Sequence, residues 1–485
     1  MYEPAPAQAQ APAPGYARLA QAIGSALLAA AILLACCLIG IVSRPPGLLA
    51  ALWPANAVML GMMIRWPRMA GPAGWVGGFA GYVVADLAMG GALGMTLWLT
   101  LANLTGVFTG WTLFTRLEPE EQRLQRPSSV MHLFGICAAG SAAAALTGAG
   151  ITTAVYAQDT LTGLTYWFIG ELANYIIVLP VLLTWPGLRR VALLRRSADV
   201  NSLLGRSLPA LALAASLLAA MAIGGPGAIF FPIPALLWCA LTYRMFAVSL
   251  LTMGSVFWAQ LYSSRNMTGE VMASFIHATT SIRLGITLLA LAPLTVASIN
   301  AARNRLLAEL EHAAHHDSLS GALTRGAFIK RGTQAWQGHA QSRCSAAALM
   351  LCVDGFRQVD DQYGYWAGDR ILQAFARQVR AVVREQDIFG RLGDEEFGLL
   401  LFGVSRQESL GVGERLRAAV ENMEIVLDDG SRLSATITVG ITWIPDLNDT
   451  ALGRLLVRAD AALHRAKKAG RNRVVDDEDT ALLRV

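Results

Sequence analysis

The chain has 485 residues, of which 54% are apolar and 15% charged. An ordinary soluble domain is nearer ~25% charged. Residues 1–300 hold 15 Lys and Arg against 9 Asp and Glu, whereas residues 301–485 hold 24 against 25. The first part therefore has the composition of a membrane protein and the second that of a soluble domain, which excludes a single soluble enzyme. The formal net charge of +5 belongs to loops of the first part, so it is no argument for a nucleic-acid polymer as partner.

The Ala/Pro-rich segment 1–18 reads as an N-terminal tail, lacking the basic cluster of a cleavable signal. Apolar runs near 19–42, 47–64, 71–91, 94–115, 130–152, 165–186, 207–224, 229–242, 245–262 and 273–297 predict ten spans, since a spanning helix needs about 20 apolar residues. Runs seven and eight are short, and eight spans is the alternative. With the N-terminus inside, the inner loops hold Arg65 and Arg68, then Arg116, Arg123 and Arg126, then Arg189, Arg190, Arg195, Arg196 and Arg206, then Arg244, then Arg303 and Arg305. The outer loops hold only Arg44 and Arg265. That asymmetry fixes an even number of spans and a cytoplasmic C-terminal domain. Among the six cysteines no Cys-x-x-Cys occurs, so neither a disulfide framework nor a zinc site is indicated.

Polar residues inside spans are costly, and they either serve function or pair within the bundle. Asp86, Glu171, Asn174, His277 and Arg283 are the candidates. Residues 19–297 resemble the MASE1 family of bacterial membrane-associated sensor domains. The matching stretches are Leu52-Trp53-Pro54-Ala55-Asn56-Ala57, Trp167-Phe168-Ile169-Gly170-Glu171 leading into Pro180, and Pro234-Ala235-Leu236-Leu237-Trp238. The resemblance implies a multi-pass protein of the bacterial inner membrane that senses an unidentified signal and passes it to a cytoplasmic output domain. A transporter would show two interrupted half-repeats, and no internal repeat is evident.

Residues 298–316 favour helix. Ile299, Leu306, Leu310 and Ala313 fall on one stripe, interrupted by Arg303. The pattern predicts a signalling helix compatible with a short parallel coiled coil and hence a homodimer.

Residues 317–475 alternate. A helix follows Thr324 to Gln337, Ala346–Val353 reads as a buried strand, and Trp366–Arg384 as an amphipathic helix. Asp387–Arg391 and Glu396–Phe402 read as strands around a turn at Leu392–Glu395. Glu408–Met423 reads as a helix, Ala435–Ile444 as a strand and Thr450–Ala469 as a helix; 476–485 is a tail. The chain thus reads as a polytopic α-helical membrane domain followed by a cytoplasmic α/β domain, a sheet with helical cover.

This second domain is similar to the GGDEF family, whose palm-like fold joins two GTP molecules into cyclic di-GMP across a dimer. The motifs that carry the similarity are Asp317-Ser-Leu-Ser-Gly-Ala-Leu-Thr-Arg325, Asp354-Gly-Phe-Arg-Gln-Val-Asp-Asp361, Gly364-Tyr-Trp-Ala-Gly-Asp369, Arg391-Leu-Gly-Asp-Glu-Glu-Phe397, and Asp460 onward through Lys467 to Gly470-Arg471-Asn472. It implies two metal ions, normally Mg²⁺, held by a strand-end carboxylate, the next backbone carbonyl and a turn acid. Here those positions are Cys352, Val353 and Glu395. A thiol is a poor ligand for hard Mg²⁺, although Asp354 lies two residues on. Glu396 keeps the other turn acid. Gly393 keeps the first turn glycine and Asp394 replaces the second, where a positive φ and added negative charge are expected costs. Guanine contacts fall to Asp360, in place of an Asn, and Asp369. Tyr365 and Arg357 replace a His and a Lys. Lys467 and Arg471 remain for phosphate.

The similarity also implies a product-binding inhibitory site of the form Arg-x-x-Asp, matched by Arg384 and Asp387, with Arg415 as a secondary contact. Two functions follow as expectations. One is an impaired output domain that binds cyclic di-GMP at that site; the other is a working cyclase that uses GTP and Mg²⁺.

Overall fold

The computed structural model describes residues 15–42, 53–156, 159–187, 200–266, 272–339, 344–427 and 430–478. Leu52, Arg44, Arg189, Arg190, Arg195 and Arg196 lie outside these residues, as do the side chains of Arg206, Arg265 and His277. The chain divides into two compact units, Met1–Arg305 and Leu306–Val485.

The first unit is helical. It begins with α1 (Gly15–Val42), α2 (Ala55–Arg65), α3 (Pro72–Ala88), α4 (Leu93–Phe114), a single turn α5 (Pro119–Gln122), α6 (Ser129–Tyr156) and α7 (Thr160–Leu183). Helices Val200–Ile223, Pro232–Thr242, Met245–Asn266 and Met272–His315 follow. Among the described residues, six helices are long and apolar enough to cross a membrane. The expected spans at 47–64 and 229–242 contain helices of only 11 residues. At 1.5 Å per residue each is roughly 16 Å long, about half the hydrocarbon thickness. Prolines set the limits. Pro54 precedes α2 and Pro67 follows it, and Pro232 opens the other helix, which ends at extended Tyr243.

Small residues draw the helices together. A Cβ on Gly77 would lie 2.1 Å from the carbonyl oxygen of Ala26, so α3 packs on α1 only because Gly77 has none. Close approach of this kind is what joins helices in lipid, where apolar burial gives no drive. Polar residues form a network at the centre. Asn56 donates to Asn103 Oδ1 at 3.0 Å and to Glu171 Oε2 at 2.9 Å, and accepts from Tyr82 at 2.6 Å. Asn174 accepts from the backbone N–H of Trp53 at 3.0 Å. The loop after α4 is ionic: Arg305 pairs with Glu120 at 2.5 Å, and Arg126 pairs with both Glu118 and Glu120.

The second unit has strands β1 (Ala346–Val353), β2 (Ile388–Arg391), β3 (Glu396–Phe402), β4 (Ile425–Val426), β5 (Arg432–Leu433), β6 (Ile437–Ile444) and β7 (Val474–Asp476). Five of them form one sheet in the order β2-β3-β1-β6-β7. β1 is antiparallel to both β3 and β6, and β7 is parallel to β6. β1 is buried along its whole length because helices cover both faces. Ala347, Leu349, Leu351 and Val353 meet the helix Tyr365–Val382, through Ile371 and Phe375. Ala346, Ala348, Met350 and Cys352 meet Phe328 and Leu463 on the other side. A continuous apolar strand is what two-sided burial requires.

Each expected strand and helix of this unit is present within a few residues. Three further elements are the helix Phe356–Tyr363, the β4–β5 ribbon and β7. The helix starts at left-handed Gly355 and stops at Gly364, which also has positive φ. Gly440 in β6 is 2.1 Å, measured from an added Cβ, from the backbone N of Leu463. That contact seats the helix Leu452–Lys468 directly on the sheet and brings Lys467 to its edge.

Candidate nucleotide and metal site

The site is built at one end of β1, where three chain segments converge. The register places Cys352 opposite Glu396 on β3 and Thr438 on β6. Cys352 is 2% exposed. Its Sγ lies 3.5 Å from Glu395 Oε1 and 3.6 Å from the carbonyl oxygen of Val353. The three expected metal-ligand positions are therefore brought together. Burial pushes the Cys352 thiol up to about 12, against a downward pull from Lys467, so it is un-ionised at neutral pH. Lys467 donates to Glu396 Oε1 at 3.1 Å. Burial pulls its ammonium down, but Cys352 and Glu396 outweigh this and hold it above its ordinary value.

Asp354 is fully engaged. Its Oδ1 accepts from Thr438 at 2.6 Å, and its Oδ2 from Thr436 at 2.8 Å and from the backbone N–H of Asn472 at 3.1 Å. It serves as a tether between β1, β6 and the turn before β7.

The turn Leu392–Glu395 closes without strain. Leu392 and Gly393 both donate to the carbonyl oxygen of Glu396, at 2.8 and 3.1 Å. The positive φ angles around the site belong to Gly355, Gly364, Gly470, Arg471 and Asn472, not to Gly393 or Asp394. The expected backbone cost of Asp394 is thus corrected: only its bulk and charge are added. Arg391, whose role sequence reasoning missed, holds the turn. Its guanidinium donates to the carbonyl oxygens of Gly393 at 3.2 Å and Asp394 at 2.7 Å, and to Asp317 Oδ1 at 3.1 Å. Burial raises the Asp317 carboxyl, but hydrogen bonds from Ser320 and Arg391 overcome it and hold the group low.

Asp360 lies over Gly368, where an added Cβ would sit 2.0 Å from its Oδ1. That oxygen is buried with no hydrogen-bond partner among the described residues. Burial, then the nearby carboxylates of Asp369 and Asp361, raise the Asp360 carboxyl. Asp369, Tyr365 and Arg357 are exposed. Arg471 is exposed in a left-handed conformation, φ 60°.

A separate open groove lies beyond β2, lined by His316, Arg331, Arg380, Arg384, Asp387 and Phe389. Asp387 Oδ2 accepts from the backbone N–H of Arg384 at 2.8 Å, and the N–H of Asp387 donates back to the Arg384 carbonyl oxygen at 3.1 Å. Burial raises the Asp387 carboxyl, opposed by Arg384. Three arginines against two carboxylates, Glu385 and Asp387, line this groove, an excess of cations that suits a ligand with phosphates and a hydrogen-bonding base. Arg415 is exposed on the helix Arg406–Glu421 and does not line this groove.

A polytopic helical unit joined to this sheet defines a multi-pass membrane protein with a nucleotide-cyclase-type output domain. Residues 23–304 match the family MASE1 and residues 314–473 match the family described as diguanylate cyclase, GGDEF domain. The chain belongs to the MASE1 family and carries a GGDEF domain, which makes it a protein of cyclic di-GMP signalling.

The chain is similar to a protein named probable diguanylate cyclase DgcF of Escherichia coli O157:H7, 28% identical over 88% of this chain and 89% of the relative. The protein of that name from Escherichia coli K12 is 30% identical over 63% of this chain and 95% of the relative. Among solved structures, the isolated GGDEF domain of TpbB (YfiN) from Pseudomonas aeruginosa is 32% identical, with TM-score 0.32, covering 34% of this chain and 96% of that one.

GGDEF diguanylate cyclases typically need Mg²⁺. The donors present do not fit it. Cys352 offers a neutral, soft sulfur where a hard anionic oxygen is needed. Among the described residues, no group of three or more His, Cys, Asp or Glu could hold a metal ion.

Proposed function

We propose that this protein is a membrane-anchored sensor whose GGDEF domain binds cyclic di-GMP and makes little of it. The sensor covers residues 19–297, the signalling helix 298–316 and the output domain 317–475; of the segments 1–18 and 476–485, read as tails, Gly15 onward already belongs to α1 and Asp476 to β7. The protein sits in the bacterial inner membrane with the output domain in the cytoplasm, and acts as a homodimer through the signalling helix.

One observation carries the impaired reading. The strand-end position beside Glu395 holds the buried thiol of Cys352, 3.5 Å from Glu395 Oε1. The nearby carboxylate that could stand in, Asp354, is occupied by Thr436, Thr438 and Asn472. Removing a group that stabilises developing charge in a transition state costs on the order of 10²-fold in rate. Asp360 and Asp394 add negative charge around a polyanionic substrate. The Arg384–Asp387 groove supports product binding; Arg415, expected as a secondary contact, does not line it. Cyclic di-GMP formation by wild type and by the Cys352→Asp and Asp394→Gly reversions, singly and together, tests the reading.

The second reading, a slow cyclase, rests on what is retained. Glu395, Glu396 and Lys467 stand at one place, with Arg471 for phosphate and Gly393 and Asp369 on the nucleotide side. The same four proteins separate the two readings.

A further inference from the structure

The polar residues of the membrane unit converge on one cavity. It measures about 80 Å³, and its lining includes Trp53, Asp86, Tyr166, Trp167, Glu171 and Arg283. Roughly 10–15 Å³ of such space holds one water, so the cavity suits a molecule of several heavy atoms and not a long chain.

Its charges are distributed in an unusual way. Asp86 accepts from the Thr96 hydroxyl. Glu171 is buried and accepts from Asn56 through one oxygen. The Arg283 guanidinium stacks over the Tyr166 ring, 5.1 Å from its centroid. Among the described residues no ion pair joins Arg283 to either carboxyl group. A cavity within the membrane unit therefore keeps two acids and one base apart. Leaving unlike charges unpaired in such a place is costly, and intramembrane ionisable groups face substrates or partners as a rule. Each is instead held by a neutral neighbour: Thr96, Asn56 or Tyr166. Aromatic rings of Trp53 and Trp167 complete the wall.

We infer that this cavity binds a small zwitterion of the size of an amino acid or a betaine. Arg283 takes the carboxylate of the ligand, for which a guanidinium is suited by geometry. Asp86, Glu171 and the aromatic faces take its cationic end, the faces by cation–π attraction. A simple cation would leave Arg283 opposed, and a simple anion would leave both carboxyl groups opposed. Only a dipolar ligand answers both.

The location is consistent with an external signal. Trp53 precedes α2, Asp86 lies near the end of α3, Thr96 near the start of α4 and Tyr166 near the start of α7. All four residues line the one cavity, so these ends share one side of the bundle. Arg65, Arg116 and Arg126 lie at the other ends, which the proposed topology puts in the cytoplasm. Arg283 is carried by the helix that continues to His315.

The test uses full-length protein in lipid nanodiscs. The probes are the twenty proteinogenic amino acids and glycine betaine, followed by thermal melting and by tryptophan fluorescence. A ligand that binds the folded state raises its melting temperature. At least one zwitterion should do so saturably, and its matching amine and its matching acid should bind at least tenfold more weakly. Arg283→Gln should weaken the zwitterion and the acid at least tenfold and leave the amine unchanged. Asp86→Asn should do the converse. Failure of every zwitterion to saturate overturns the proposal. So does an amine or an acid alone that binds as well as the zwitterion, because the site is then for one charge. Should Arg283→Gln fail to fold, the three-ligand comparison on wild type decides by itself.

Discussion

Sγ of Cys352 lies 3.5 Å from Oε1 of Glu395, with the thiol as donor and the carboxylate as acceptor. The pair occupies the place where hard oxygen ligands are needed, and it satisfies itself instead. Two consequences follow for catalysis. Glu395 is held by a neutral neighbour, and a metal entering the site meets one strong ligand where it needs several.

Full-length wild type with GTP and Mg²⁺ should make little or no cyclic di-GMP. Cys352→Asp should restore metal affinity and raise turnover, on the order of 10²-fold if the strand-end group acts on transition-state charge. Asp394→Gly should add to this by removing negative charge, since the turn backbone is unstrained without it. The double variant should be fastest. Robust turnover by wild type would overturn the impaired reading. A double variant that binds GTP with Mg²⁺ yet stays inactive would place the fault at Asp360 and Tyr365.

Arg384→Ala should weaken cyclic di-GMP binding about tenfold to a hundredfold, the worth of a hydrogen bond to a charged group in a binding site. Calorimetry on the two full-length proteins measures it. Equal affinity in both, or none in either, would remove the Arg384–Asp387 groove as the site.

Asp317 and Arg391 pin the signature turn from outside. The folded Asp317 carboxyl lies below its ordinary value, so the stabilisation is complete above the unfolded value of about 3.9 and is lost as pH falls through the depressed folded value. Asp317→Asn should cost about 1–3 kcal/mol at pH 7, and the gap from wild type should close well below pH 4. The output-domain transition in a thermal melt across pH reads this. A gap that is constant with pH would mean that Asn keeps the contact or that Arg391 has another partner.

Leu306 and Leu310 are 59% and 65% exposed on their helix. An exposed leucine pair at this spacing calls for a second helix. Leu306→Cys or Leu310→Cys should cross-link to its twin in membranes. Protein that stays monomeric in lipid would count against both the dimer and any cyclase activity, because two GTP molecules must meet across an interface.

Reporter fusions after residues 68 and 305 should read cytoplasmic, and those after 45, 226 and 265 should read external. A C-terminal reporter on the outer side would defeat every nucleotide-based reading.

The sheet was readable from the sequence because β1 is a run of eight apolar residues that only two-sided burial explains, and because each motif sits at an element boundary. The short helices at 55–65 and 232–242 were not, since apolar composition extends ahead of the prolines that open them, Pro54 and Pro232. The polar cavity was visible only as isolated residues. Asp86, Glu171 and Arg283 are far apart along the chain, and no periodicity links them. The partners of Asp354 were hidden for a different reason. Strand parity puts it on the same face as Cys352, but parity carries no information about the threonines of β6 that occupy it. Arg391 escaped notice because a basic residue before a turn is ordinary until its three partners are known.

Arg471 and Asn472 are the two consecutive non-glycine residues with positive φ, at 60° and 40°. Such a conformation costs roughly 1–2 kcal/mol for each residue with a side chain. Asp354 accepts the Asn472 N–H, and the Asn472 side chain bonds Glu421 at 2.7 Å and Arg417 at 2.9 Å. The bend is thus enforced when the domain folds and not when a ligand arrives. The backbone that carries Arg471, the cation proposed for phosphate, is thus already fixed, so a triphosphate meeting it costs less freedom of the chain than it would at a loose tail. Glycine at Asn472 would relax the backbone and cut both side-chain ties at once. Its effect should be felt as a slower, less selective capture of nucleotide in a domain that melts almost where it did before.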